Sequence, residues 1–204
     1  MPSVHVLDNA ISGALLTRLR DRDTGTAAFR AAARELGSQL ATRAADLLDH
    51  HVGTVQTPVG PAASVEVGNP VVVPVLRAGL GLLPGVLDVF SESVVGMIGM
   101  ARNEETLVAE QYYRNVPNLA GQDLLVLEPM LATGGSAADA LDLLPGARSR
   151  LLLSVVATQA AIDRILAAHP DVTVLTAAID PSLNELGWIV PGLGDFGDRL
   201  WGTL

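Results

Sequence analysis

Short aliphatic runs alternate with segments of helical period along most of this chain, and that alternation leaves few architectures open. The runs are Val71–Leu76, Val94–Met100, Leu124–Leu127, Leu151–Ala157 and Val172–Ala178. Each is strand-length and lacks the polar–apolar alternation of a half-exposed strand, the pattern of strands buried on both faces. Leu80–Val89, Ala137–Leu143 and Ala160–Ala168 lie between them and read as helices. Strand–helix alternation implies parallel pairing through right-handed crossovers. The predicted fold is therefore α/β, a central mostly parallel β-sheet flanked by helices, and 204 residues suffice for one domain over 1–204 with a sizeable core. Only 3% of residues are aromatic, which fits an aliphatic sheet interior. Upstream, Phe29, Ala33, Leu36, Leu40, Ala44 and Leu47 recur at helical spacing and predict a long helix over Thr26–Asp49. Val52–Val67, with Pro58, Gly60 and Pro61 between β-prone pieces, reads as a hairpin or arm outside the main sheet.

In such sheets ligands collect at the carboxyl ends of the strands. After Leu124–Leu127 come Glu128, Pro129, Met130, Leu131, Ala132, Thr133, Gly134, Gly135 and Ser136. Small residues there let backbone N–H groups approach a ligand closely. Ser136 is placed to cap the helix that follows. Free N–H groups and partial positive charge at a helix start suit a phosphate monoester. Thr133 and Ser136 add hydroxyl donors, and Glu128 is placed to accept from sugar hydroxyls or to orient water on a metal ion. Gly-Gly-Ser by itself is also an ordinary turn between strand and helix.

Two other strand ends carry arginine. Pro74-Val75-Leu76 runs into Arg77-Ala78-Gly79-Leu80-Gly81, and Met100-Ala101 into Arg102-Asn103-Glu104-Glu105-Thr106-Leu107. A guanidinium matches phosphate oxygens in a bidentate way. Taken alone, Arg77 is equally a snorkelling surface arginine, and the charged string equally a solvated turn. The net charge of −9, with only 13 Lys plus Arg, argues against a general nucleic-acid surface. An acidic protein that binds a polyanion must concentrate its few cations, usually with a metal ion. The tail holds Gly192, Gly194 and Gly197 in a Gly-x-Gly-x-x-Gly pattern, but the seven residues that follow cannot supply the helix and strand of a dinucleotide site.

Together, Pro74–Gly81, Arg102–Leu107, Glu128–Ser136 and the tail from Asn184 to Asp198 resemble the uracil phosphoribosyltransferases, a branch of the type I phosphoribosyltransferases. The resemblance runs in order over nearly the whole chain. It is strongest from Asn69 onward and weaker around Phe29-Arg30 and Glu35-Leu36-Gly37. It implies transfer of the 5-phosphoribosyl group from phosphoribosyl pyrophosphate (PRPP) to N1 of uracil, giving UMP and pyrophosphate. The 132–136 loop would anchor the 5′-phosphate, with Glu128, Pro129, Met130 and Leu131 completing the donor site and Glu128 positioning the ribose. Arg77, Arg102 and Mg²⁺ would hold the diphosphate, with no dedicated protein metal ligand. The segment through Tyr112 and Tyr113 would form a mobile cover that excludes water. The Ile189 carbonyl and the Gly194 and Phe196 N–H groups would read the uracil edge, with Asp195 near the donor or the reacting base. Arg77, Arg102, Glu128 and Asp195 are thus the expected catalytic residues. The resemblance also implies a small hood from N- and C-terminal segments over the base, and a homo-oligomer, dimer or higher.

Four positions depart from the family pattern: Glu128 for Asp, Trp188 for Tyr, Phe196 for Ala and Ala101 for Tyr. One extra methylene shifts a carboxylate by more than about an ångström, enough to alter sugar or metal-water contacts. The chain has no cysteine, which excludes thiolate chemistry and fits a reducing cytoplasm. No apolar run reaches the roughly 18 residues of a membrane span, and Met1–Arg20 lacks an export pattern. His5, His50, His51 and His169 lack metal-ligand spacing, with His50 and His51 expected to diverge on a helix; no Ser/His/Asp arrangement supports hydrolysis. Two other readings use the same fold: a phosphoribosyltransferase for a different base, and a catalytically weak nucleotide-sensing or RNA-binding regulator.

Overall fold

The computed structural model describes residues 3–102 and 109–203, the side chains of 101, 102, 109 and 110 excepted. The chain opens with β1 (Val4–Val6), α1 (Ala10–Arg20) and α2 (Thr26–Ala45), then forms a ribbon of β2 (His50–Gln56) and β3 (Pro61–Val67). The sheet proper follows: β4 (Val71–Leu76), a 3₁₀ turn over Ala78–Gly81, α3 (Leu83–Val89), β5 (Met97–Arg102), β6 (Ala109–Asn115) and β7 (Asp123–Leu127). Next come β8 (Met130–Leu131), α4 (Gly135–Asp142), β9 (Ser149–Thr158), α5 (Gln159–Ala168) and β10 (Val172–Asp180). The chain closes with β11 (Ser182–Leu183), β12 (Ile189–Val190) and α6 (Phe196–Trp201).

The main sheet runs β1-β10-β9-β7-β4-β5-β6, with β8 also paired to β9. Every pairing in it is parallel except β5 with β6. Successive residues of a strand face opposite sides, and the core divides accordingly. Val72, Leu125 and Leu153 pack with Phe29, Leu36 and Leu40 of α2 and Val86 of α3 on one face. Val71, Val73, Leu124, Val126 and Leu152 pack with Leu141 of α4 and Ile162 and Ile165 of α5 on the other. The helices after β4 and β7 therefore leave the sheet on opposite faces, and β4 and β7 are neighbours. Their carboxyl ends form the switch point at which open α/β sheets bind ligands.

The predicted strand Val94–Met100 begins later, at Met97, and runs to Arg102; Val95 makes only an isolated bridge to Val72. The predicted helix over Leu80–Val89 divides into the 3₁₀ turn and α3, with Pro84 in the first turn of α3, where its missing N–H is harmless. Helix α2 stops at Ala45, so His50 and His51 open a strand and diverge across its two faces. Ser136 does not cap α4: the helix starts at Gly135, two residues earlier than expected, and Gly134, in a left-handed conformation at φ 75°, takes the cap position. A Ser side chain is less valuable there than a residue that tolerates positive φ. The backbones of α2 and α3 meet closely at Gly85, where a Cβ would lie 1.8 Å from the Arg34 carbonyl oxygen.

Candidate active site

The loop after β7 is fixed to the edge of β9 before it turns. Glu128 N–H donates to the Leu153 carbonyl at 3.1 Å, and the Pro129 carbonyl accepts from Val155 N–H, Val156 N–H and the Ser154 hydroxyl at 2.9, 3.1 and 3.0 Å. The Thr158 hydroxyl donates to the Ala132 carbonyl at 2.7 Å and accepts from Ala161 N–H, so one side chain ties the loop to the start of α5. A Cβ at Gly134 would lie 2.7 Å from the Ala161 carbonyl oxygen. The hydrogen-bond ladder of α4 opens with Ala138 N–H on the Gly134 carbonyl, at 3.0 Å, so the N–H groups before it precede the ladder. Ser136 stands inside this first turn, with its hydroxyl not spent on the cap. Glu128, the whole run from Met130 to Ala137, Leu76, Met100 and Gly187 line a chamber of about 280 Å³.

A second chamber of about 250 Å³ adjoins it, lined by Ala78, Trp188, Ile189, Gly194, Asp195, Phe196 and Gly197. The two chambers share Glu128, Met130, Ala132 and Gly187. Asn184 shapes the hairpin that leads here, its side-chain oxygen accepting from Leu186 and Trp188 N–H groups. The Val190–Pro191 peptide is cis. Buried Asp180 accepts from Gly192 N–H at 2.8 Å and pairs with both terminal nitrogens of Arg20, and Arg20 also donates to the Gly192 carbonyl at 2.9 Å. Phe196, which lines the chamber, buries its ring edge-on against Phe29, 5.1 Å between centroids. Asp195 lines the chamber and also caps α6, accepting from Asp198 N–H at 2.8 Å.

Among the described residues, charge in the cleft is sparse. Burial pushes the Glu128 carboxyl up to about 8, against the opposing effect of the Met130 N–H. Arg77 follows β4 through a cis peptide and donates to Asp198 at 3.3 Å; its neighbours Leu76 and Ala78 line the two chambers. Asp198 also accepts from the Thr203 hydroxyl at 2.6 Å. Arg102 ends β5, at the same edge of the sheet. Its side chain and Asn103–Leu107 lie outside the described residues. A larger groove of about 590 Å³, bordered by Arg30, Leu80, Pro84 and Trp201, touches neither the 128–136 loop nor residues 187–197.

The loops read from sequence thus converge: Glu128 and 130–136 on one chamber, Ile189, Gly194, Asp195 and Phe196 on the other, Glu128 on both; Pro129 lines neither, its carbonyl being held on β9. Arg20, Asp180, Asp198 and Arg199, which hold these loops, were not anticipated. Asp180 ends strand β10 at the carboxyl edge of the sheet, and its position there was a usable signal; Arg20 sits on a distant helix and gave none.

The family model described as uracil phosphoribosyltransferase matches residues 6–203. A uracil phosphoribosyltransferase of Halalkalibacterium halodurans is 42% identical over 208 aligned positions that cover 100% of both chains. A solved structure of the AQ2163 protein from Aquifex aeolicus superposes with a TM-score of 0.91 at 33% identity, covering 98% of each chain. The orotate phosphoribosyltransferase of Mycobacterium tuberculosis, solved with PRPP, shares the fold at a TM-score of 0.51 and 14% identity, over 86% of this chain and 95% of that one. With a family match of this extent and relatives this similar along their full length, the chain belongs to the uracil phosphoribosyltransferase family.

Proposed function

We propose that the two chambers divide the uracil phosphoribosyltransferase reaction between them, with PRPP in the 128–136 chamber and uracil in the 187–197 chamber. The observation that carries this division is their junction: both include Glu128, at the switch point of the sheet. The Gly135 and Ser136 N–H groups and the Thr133 and Ser136 hydroxyls hold the 5′-phosphate. Glu128 receives the ribose hydroxyls, and Met130, Leu131 and Ala132 shape the wall beside it, with Pro129 tying them to β9. Arg77 and Arg102 neutralise the diphosphate. The Ile189 carbonyl and the Gly194 and Phe196 N–H groups read the uracil edge, and Asp195 stands at the chamber wall beside them.

The bond from C1 of the ribose to the diphosphate breaks as N1 of uracil approaches from the other chamber, and the N1 proton is released. Holding both reactants in line across one junction supplies the proximity term, and arginine at the departing diphosphate the electrostatic one. No group of three or more His, Cys, Asp or Glu able to hold a metal occurs among the described residues. That donor set fits Mg²⁺ arriving on the diphosphate oxygens, as Mg²⁺ binds through substrate phosphates and one or two carboxylates. Bound there, Mg²⁺ would neutralise charge on the leaving group.

The enzyme is expected to work in the cytoplasm as a homo-oligomer, dimer or higher. Val52, Val55, Val59 and Val65 are exposed on the β2–β3 ribbon, and an isolated two-stranded ribbon is marginal in water; sedimentation velocity gives the state. The division of labour is tested by Gly134→Val. PRPP binding, followed by calorimetry, should be lost in that variant. Unchanged PRPP affinity in a folded variant would refute the assignment of the loop.

A further inference from the structure

We propose that Arg199 is a positioning residue for the acceptor base: it holds the Leu193 carbonyl behind the base loop and so turns the Gly194 N–H into the base chamber. This rests on the reading above that Gly194 N–H donates to uracil.

All 13 cations of the chain are arginines. Several pair with carboxylates: Arg20 with Asp180, Arg34 with Asp88, Arg148 with Asp123 and Arg150 with Asp171. Arg199 is used differently. Its guanidinium donates to three backbone carbonyls, those of Leu19, Leu193 at 2.8 Å and Asp21 at 2.6 Å, and lies 4.5 Å from the centre of the Phe29 ring. Burial lowers its pKa, against the field of Asp21. A cation held at that cost in a protein of net charge −9 is committed to geometry, and what it fixes is the orientation of one peptide plane.

The consequence follows from peptide planarity. The Leu193 carbonyl and the Gly194 N–H belong to one peptide, which is not among the two cis bonds of the chain. In a trans peptide the two groups point in opposite directions. The carbonyl is drawn toward the end of α1, so the N–H faces away from α1, and Gly194 lines the base chamber. Among the described residues that N–H has no hydrogen-bond partner. Gly194, on one side of the peptide, has a positive φ of 79°, and Gly192, the residue before Leu193, a φ of 57°. Glycine at 194 and just before Leu193 gives this stretch a wide choice of backbone conformations unless something outside holds it. Arg20 and Asp180 hold the preceding residue, at the Gly192 carbonyl and N–H. Arginine suits the role because its planar fork reaches several carbonyls at once, which a compact ammonium does not.

The test compares wild type with Arg199→Met and Arg199→Lys in steady-state kinetics, using uracil and its two monothio analogues. Sulfur is a weak acceptor, so replacing the oxygen that Gly194 faces should raise KM in the wild type. In Arg199→Met the uracil KM should rise at least about tenfold, the scale of a charged hydrogen bond lost with some misplacement. The PRPP KM should not move, and the penalty for sulfur should shrink. Arg199→Lys should lie between, and it serves alone if the Met variant does not fold. Equal rises in both KM values, or an unchanged uracil KM, would overturn the proposal. So would a sulfur penalty as large in both variants as in the wild type, which would leave the backbone reading of uracil standing. A wild type indifferent to both analogues would overturn that reading and the proposal with it.

Discussion

Glu128 belongs to both chambers, and its chemistry shows how much one side chain depends on its setting. In the unfolded chain its carboxyl titrates at its ordinary value, near 4.5; in the folded cleft burial moves it to about 8. The folded protein therefore keeps, between those values, a proton the unfolded chain has released. Stability falls as pH rises across that window and levels off above it. Glu128→Gln removes the dependence. The difference in Tm between Glu128→Gln and wild type should grow in favour of the variant from pH 5 to pH 8, by the equivalent of a few kcal/mol at most; a constant difference would contradict the assignment. The residue and its place at a strand end were legible from the chain, because an apolar run followed by an acid and small residues has few other meanings. Its raised pKa was not, since burial is a product of the fold and no local pattern records it. Ser136 misled for a related reason: a hydroxyl favours the cap, but the chain turns at Gly134 with positive φ and no room for a Cβ against the Ala161 carbonyl, and the backbone decided.

At the scale of elements, α6 joins the two halves of the site. Its first residues form the base wall, while Asp198 receives Arg77 from the loop after β4. The pair is more than a third exposed on each side, so its strength is that of a surface ion pair, ~0–1 kcal/mol. Diphosphate must compete with Asp198 for that guanidinium. Asp198→Asn should therefore lower the PRPP KM about two- to fivefold. Thr203→Val, which removes the other partner of the same carboxylate, should leave the PRPP KM unchanged. A raised KM in Asp198→Asn, or the same change in Thr203→Val, would show that the pair serves α6 rather than restraining Arg77. Packing of α2 on α3 gives a separate check. Gly85→Ala should cost about 1–3 kcal/mol in denaturant unfolding by forcing a Cβ into the Arg34 carbonyl. Long periodic elements such as α2 were readable; β1, β11 and β12, at two or three residues, were not, because their pairing comes from distant partners.

At the scale of the molecule, the site is where the topology places it. Adjacent strands β4 and β7 send their helices to opposite faces, and the crevice between their ends receives every loop that carries the resemblance and falls within the described residues. Alternating aliphatic runs made the parallel sheet legible, but the strand order, and with it the switch point, depends on pairings no local pattern records. Family membership favours the enzyme over a regulator on the same fold, and a base other than uracil is distinguished by product. The most direct test is formation of nucleotide from PRPP and a panel of free bases, with and without Mg²⁺. UMP from uracil alone, dependent on the metal, is the predicted result. Nucleotide from another base in preference to uracil, or none from any base by protein that still binds PRPP, would contradict the account.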